Sequence, residues 1–128
     1  MKLLRLATTL NATSAPYNQF SLGFSTVADQ TYCSLLKNDI QTADSIEVFH
    51  GDGSVFKMIN VVRNLIKHNN YDVVHIHSGV TGIILLIAAL PFKISIFKKT
   101  IFTLHNSWNV IKFRNQALNF RVMLASFK

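Results

Sequence analysis

The chain has a single cysteine, Cys33, among 128 residues, so no disulfide can form within it, and a reducing compartment is the simple reading. Cys33 falls in an apolar, strand-like stretch, which suits a small core residue. A catalytic thiol would need a partner base that the sequence does not place. There is no apolar run long enough to span a bilayer. The strongest, within Val80–Leu90, stops at Pro91 and Lys93, well short of the roughly 20 residues required, and reads as a buried crossover helix. Met1–Ala15 is not expected to act as a signal peptide: Arg5 interrupts its apolar stretch, and Thr8, Thr9 and Asn11 end it. Asn11-Ala12-Thr13 is then a glycosylation sequon in name only. Internal repeats and low-complexity segments are likewise missing.

Acidic residues are scarce and confined. All six (Asp29, Asp39, Asp44, Glu47, Asp52, Asp72) precede position 73, where six Lys and Arg balance them. Beyond it stand Lys93, Lys98, Lys99, Lys112, Arg114, Arg121 and Lys128 with no acid, and these seven carry the whole net charge of +7. Such asymmetry suits contact with something anionic: a membrane surface, a phosphorylated ligand or nucleic acid. It also suits a plain solvated positive face. The motifs and interleaved aromatics of nucleic-acid modules are missing, so no nucleic-acid partner is expected.

What the chain does have is apolar substance: 49% hydrophobic residues against 15% charged, which supports one buried core and argues against disorder. Lys2–Leu10 reads as a first strand, and Asn11–Ala15 as a polar loop. A short helix is expected from Pro16 to about Val27. Thr31–Leu36 and Ser45–Phe49 read as the second and third strands, joined by a polar connection over Lys37–Asp44. His50–Gly53 makes a tight turn and Ser54 caps a helix in which Val55, Ile59, Val62, Leu65 and Ile66 recur at helical spacing. Tyr71–His77 is the fourth strand, Val80–Leu90 the next helix, Thr100–His105 the fifth strand, and Ile111–Phe127 a final amphipathic helix. Strands alternating with helices predict an α/β fold: a Rossmann-like parallel sheet with right-handed connections and helices on both faces. The sequence stops at Lys128, inside or just after a helix, where such a sheet usually adds another strand. The expectation is a truncated product or a missing partner.

Two segments concentrate the polar chemistry: Asp72–Gly79 (DVVHIHSG) and Thr100–Trp108 (TIFTLHNSW), each an apolar run ending in histidine and small or polar residues. Open parallel sheets bind ligands beyond the carboxyl ends of their strands, where both segments finish. His75 and His77 share a strand face, His77 nearer the crevice and His75 a hydrogen-bonded core residue. His105 closes the following strand. Histidines here can shuttle protons or bond a sugar or phosphate oxygen, bind zinc, or serve structure alone. With no further Cys or acid near them, no metal site is assigned. Ser78 and Gly79 open a helix that either holds an anion or is simply capped. Gly51-Asp52-Gly53 is a weak echo of a dinucleotide fingerprint, lacking its third glycine and following the wrong strand. Trp108 can stack on a sugar ring or anchor its loop.

With the strands placed, DVVHIHSG and TLHNSW resemble the corresponding segments of retaining glycosyltransferases of family 4, in their N-terminal, acceptor-binding domain. The resemblance covers essentially the whole chain and is most specific in those two segments. It implies one half of a GT-B enzyme, two Rossmann-like domains facing across a cleft, in which the C-terminal domain binds most of the nucleotide-sugar donor. That donor half and its paired-glutamate motif are not in this sequence. The reaction implied is sugar transfer to a saccharide or lipid-linked acceptor in bacterial polysaccharide or lipopolysaccharide synthesis, needing no cofactor, and with the chain inactive alone. The family's first-strand loop lies near the donor phosphates and often carries two glycines. Here it is Asn11–Tyr17, without glycine, and Ser14 and Tyr17 are its candidate binding residues. By the same resemblance His105 and His77 are the catalytic candidates, and Ser78, Gly79, Asn106 and Trp108 contact acceptor or donor. The alternative is a non-catalytic acceptor- or membrane-binding subunit of a split transferase. Either would be cytoplasmic, with the basic final segment suited to a peripheral position on the anionic inner face of the plasma membrane.

Overall fold

The computed structural model describes residues 1–10, 28–36, 46–90 and 93–103. Five strands form one sheet: β1 (Lys2–Ala7), β2 (Asp29–Ser34), β3 (Ile46–His50), β4 (Val73–Ile76) and β5 (Thr100–Phe102). Their order is β3-β2-β1-β4-β5, and every neighbouring pair is parallel. Two α-helices are described, α1 (Val55–His68) between β3 and β4, and α2 (Gly79–Ala89) after β4. This is the expected α/β, Rossmann-like arrangement. The strand order reverses direction between β1 and β4, so the crevice beyond their carboxyl ends is where a ligand is expected.

Both helices lie on one face of the sheet, and alternation along the strands explains why. Leu4, Leu6, Cys33, Val74 and Ile76 point to that face. There they join Met58, Ile59, Val62, Leu65 and Ile66 of α1 and Ile84, Leu85, Ala88 and Ala89 of α2 in one apolar core. α1 begins where the sequence predicts, with the Ser54 hydroxyl accepting the Lys57 amide, and its buried residues recur at helical spacing. The tight turn before it places Asp52 (φ 50°) and Gly53 (φ 80°) in the left-handed region. At the other end of α1, Lys93 Nζ donates to the carbonyls of Ile66 (2.6 Å) and Asn69 (3.2 Å), placing a cation at the negative pole of the helix.

The opposite face carries the other alternate residues, and they are unusually polar for a buried surface. Arg5, Gln30, Tyr32, His75 and His77 are all buried. The Arg5 guanidinium lies 5.5 Å from the centre of the Tyr32 ring, and burial lowers its pKa against a smaller raising influence from Tyr32. The helix expected between Pro16 and Val27, and that over Ile111–Phe127, fall outside the described residues, so the expectation of helices on both faces is met on one face among those described.

Several boundaries differ from the sequence reading. β2 starts at Asp29, before Thr31, because Lys2 and Leu3 of β1 pair with Asp29 and Gln30 in register; pairing overrides the poor strand propensity of those polar residues. β1 ends at Ala7, before Leu10, and β4 spans Val73–Ile76, shorter than Tyr71–His77. The fifth strand is described only over Thr100–Phe102 and is preceded by an unexpected 3-10 helix, Ile94–Lys99. Every exposed residue of α2 other than Gly79 is a large apolar one: Val80, Ile83 and Ile87, with Leu90 just beyond. The helix is thus apolar all round, and a helix of that kind ordinarily has both sides covered.

Candidate functional site

The polar groups at the strand ends are assembled by backbone pairing. The His77 amide donates to Leu6 O at 2.9 Å, continuing the β4–β1 ladder one residue past β4. Ser78 therefore emerges beside the end of β1, where Thr8 Oγ1 donates to Ser78 Oγ at 2.8 Å. Ser78 is also the N-cap of α2, its Oγ accepting the Thr81 amide at 3.3 Å and lying 3.0 Å from Thr81 Oγ1. The Thr81 hydroxyl is buried and within 2.9 Å of Ser78 O and 3.4 Å of Leu6 O. Three hydroxyls thus converge where the sheet order reverses, at the start of a helix whose first amides point toward the crevice.

His77 is 8% exposed, and its ring centre is 4.0 Å from that of His75. The imidazole packs beside that of His75 on the sheet's polar face, one residue past the carboxyl end of β4. His75, equally buried, is hydrogen-bonded through Nε2 to Thr103 Oγ1, as expected of a core histidine.

Of the predicted site residues, the structure brings His77, Ser78 and Gly79 together at the end of β4. His105, Asn106, Trp108, Ser14 and Tyr17 lie outside the described residues. Among the described residues no three His, Cys, Asp or Glu side chains gather as metal ligands. Cys33 is fully buried and its thiol is pushed up to about 12 by that burial, which agrees with a core residue. A groove of about 300 Å³ lined by Phe49, Val61, Asn64, Leu65, His68 and Asn69 runs beside the second half of α1 on the helix-covered face, apart from the strand ends.

Sequence reasoning assigned His50 to a turn and gave it no role. It is the last residue of β3, and its Nδ1 lies 2.8 Å from the hydroxyl of fully buried Ser34 at the end of β2. Ser34 pairs in register with His50 on one side and with Ala7 on the other, and Ala7 is one residue past the Leu6–Ile76 pair. His50, Ser34, Ala7 and His77 therefore form one row across the carboxyl rim, on one face. The signal was present: His50-Gly51-Asp52-Gly53 ends its strand as His77-Ser78-Gly79 ends the fourth, in histidine followed by small residues.

Fold and rim together define a Rossmann-like α/β protein with its polar groups at the topological switch point. No protein-family model and no curated protein matches the chain. No described helix is long and apolar enough to cross a membrane.

Proposed function

We propose that this chain is the acceptor-side domain of a retaining, GT-B-type glycosyltransferase. It would work with a donor-binding domain to move a sugar from a nucleotide-sugar donor to a saccharide or lipid-linked acceptor in bacterial polysaccharide or lipopolysaccharide synthesis. The observation that supports this most is the junction of β1 and β4, where DVVHIHSG sets Ser78 against Thr8 across the switch point with His77 one residue inside. Transfer of this kind depends on positioning and on stabilising the departing phosphate, and not on a strong nucleophile from the protein. Hydroxyls and an imidazole at a helix N-terminus suit both tasks: they bond sugar hydroxyls and oppose developing negative charge. In this reading His77 and His105 line the reacting sugar, while Ser14, Tyr17, Ser78, Gly79, Asn106 and Trp108 contact acceptor or donor.

The test is a transfer assay of the chain alone and with a family 4 donor-binding domain supplied in trans. The reading expects transfer only with both; robust transfer by the chain alone, or none in any combination, counts against it.

A second reading, a non-catalytic acceptor- or membrane-binding subunit, is favoured by the exposed apolar side of α2 (Val80, Ile83, Ile87) followed in the chain by exposed Lys98 and Lys99. An apolar strip with cations nearby is what a peripheral contact with the inner face of the plasma membrane would use. Co-sedimentation with phosphatidylglycerol vesicles supports this reading, and equal indifference to neutral and anionic vesicles removes it.

A further inference from the structure

We infer that His50, oriented by Ser34, is a second saccharide-binding residue, extending the acceptor surface from the end of β4 across the rim to the end of β3. This rests on the sugar-transfer reading and adds a residue and a direction to it.

The argument starts from proton accounting. Ser34 Oγ lies 2.7 Å from Leu36 O, which can only accept, so the one hydroxyl proton of Ser34 is committed there. The 2.8 Å contact to His50 Nδ1 must then be made by a proton on the histidine, donated to Ser34 Oγ. That fixes the neutral ring as the Nδ1–H tautomer and leaves the Nε2 lone pair as an acceptor. Nε2 has no hydrogen-bond partner among the described residues, and the residue is half-buried, in contrast to Ser34, which is 0% exposed. A buried hydroxyl is thus spent on holding one ring of the rim in one orientation.

The surrounding backbone holds that orientation firmly. Gly51 N donates to Ser34 O at 2.8 Å, Gly53 N to Leu35 O at 2.7 Å and Ser54 N to Gly51 O at 2.9 Å. The turn after His50 is therefore tied to the end of β2 from both sides. A group preorganised in this way loses little freedom when a ligand hydroxyl donates to it.

Position supplies the ligand class. His50 and His77 share the rim row with two strands between them, three inter-strand steps or roughly 14 Å apart. Two imidazoles at that spacing address different rings of an oligosaccharide, not one hydroxyl. A lone-pair acceptor suits the many O–H donors of a sugar, and it has no attraction for an anion unless protonated.

The experiment uses the full chain labelled with ¹⁵N-histidine, long-range ¹H–¹⁵N spectra, and a panel of methyl glycosides (glucose, galactose, mannose, N-acetylglucosamine) with the matching disaccharides. His50 should show Nδ1–H with an unprotonated Nε2, and a disaccharide that shifts His77 should also shift His50 Nε2. His50→Asn keeps a donor toward Ser34 but lacks the distal acceptor, so disaccharide affinity should fall roughly tenfold with methyl-glycoside affinity unchanged. His50→Gln, whose Oε1 replaces Nε2, should retain part of the lost affinity. Ser34→Ala should let the ring exchange between tautomers. An Nε2–H tautomer overturns the inference whatever binds. So does a disaccharide that moves His77 and leaves His50 untouched, or an Asn variant of full affinity, although the sugar-transfer reading then stands. Silence of both histidines toward every saccharide sinks the two together.

Discussion

Cys33 illustrates how burial alone sets the chemistry of a side chain. Its thiol is fully enclosed and pushed up to about 12, whereas an unfolded thiol ionises near 8.5–9. Raising pH through that interval ionises the unfolded chain first, so stability conferred by the neutral thiol is present below about pH 9 and lost as pH climbs toward 12. Urea unfolding at pH 8.0 and 10.5 should show a loss of about 2 kcal/mol in the parent beyond that in Cys33→Ala. Buried Tyr71 is raised mainly by desolvation, which both proteins share and which cancels in the comparison; only its smallest raising influence, from Cys33 itself, is removed in Cys33→Ala and counts with the thiol. Gly51 is a second residue whose role is fixed by its surroundings. A Cβ there would fall 2.8 Å from Met58 Cβ and 3.0 Å from Ser54 O, so Gly51→Ala should cost about 1–3 kcal/mol in a denaturant titration. Because Gly51 ties the turn to Ser34, the same variant should broaden the His50 signals.

At the scale of elements, the two described helices were the most legible part of the sequence, because α1 declares itself through spacing and a serine cap. Ser54→Ala should lower stability by about 1 kcal/mol. The far end of α1 was not legible. Its last carbonyls are met by Lys93, which lies 27 residues from Ile66, and no local pattern announces so distant a partner. Lys93→Met should cost about 1 kcal/mol, an effect that thermal unfolding at low and high salt can assign to charge if it shrinks with salt. The strands were legible by existence more than by extent. Asp29 and Gln30 join β2 only because β1 offers them partners, and the 3-10 helix Ile94–Lys99 has no periodic signature at six residues. The site followed the same rule. His77 and Ser78 were readable because they end an apolar run, but the Thr8–Ser78 and Ser34–His50 bonds depend on which strands lie side by side. His50 was missed because its strand is short and its turn residues dominated the reading.

The whole molecule combines two asymmetries: a sheet with both described helices on one face, and a sequence whose excess charge falls entirely after Asp72. They meet at α2 and the 3-10 helix, where an uncovered apolar side (Val80, Ile83, Ile87) is followed by Lys98 and Lys99. If this region contacts an anionic bilayer, its two components respond differently to salt, since charge attraction is screened within a Debye length and apolar burial is not. The double variant Lys98→Glu/Lys99→Glu should then abolish vesicle binding at low salt and match the parent at 0.5 M. Ile83→Gln/Ile87→Gln should weaken binding at both salts, by several-fold for the two buried side chains. Ile83 and Ile87 are solvent-exposed, so the isoleucine pair should unfold close to the parent's midpoint; Lys99 Nζ also donates to Tyr71 O at 3.2 Å, so the lysine pair should unfold slightly lower. A parent that binds vesicles with no response to either pair would place the contact elsewhere on the chain. One that sediments as a dimer, dissociated by Ile83→Gln/Ile87→Gln, would assign the apolar side of α2 to a second copy of the protein.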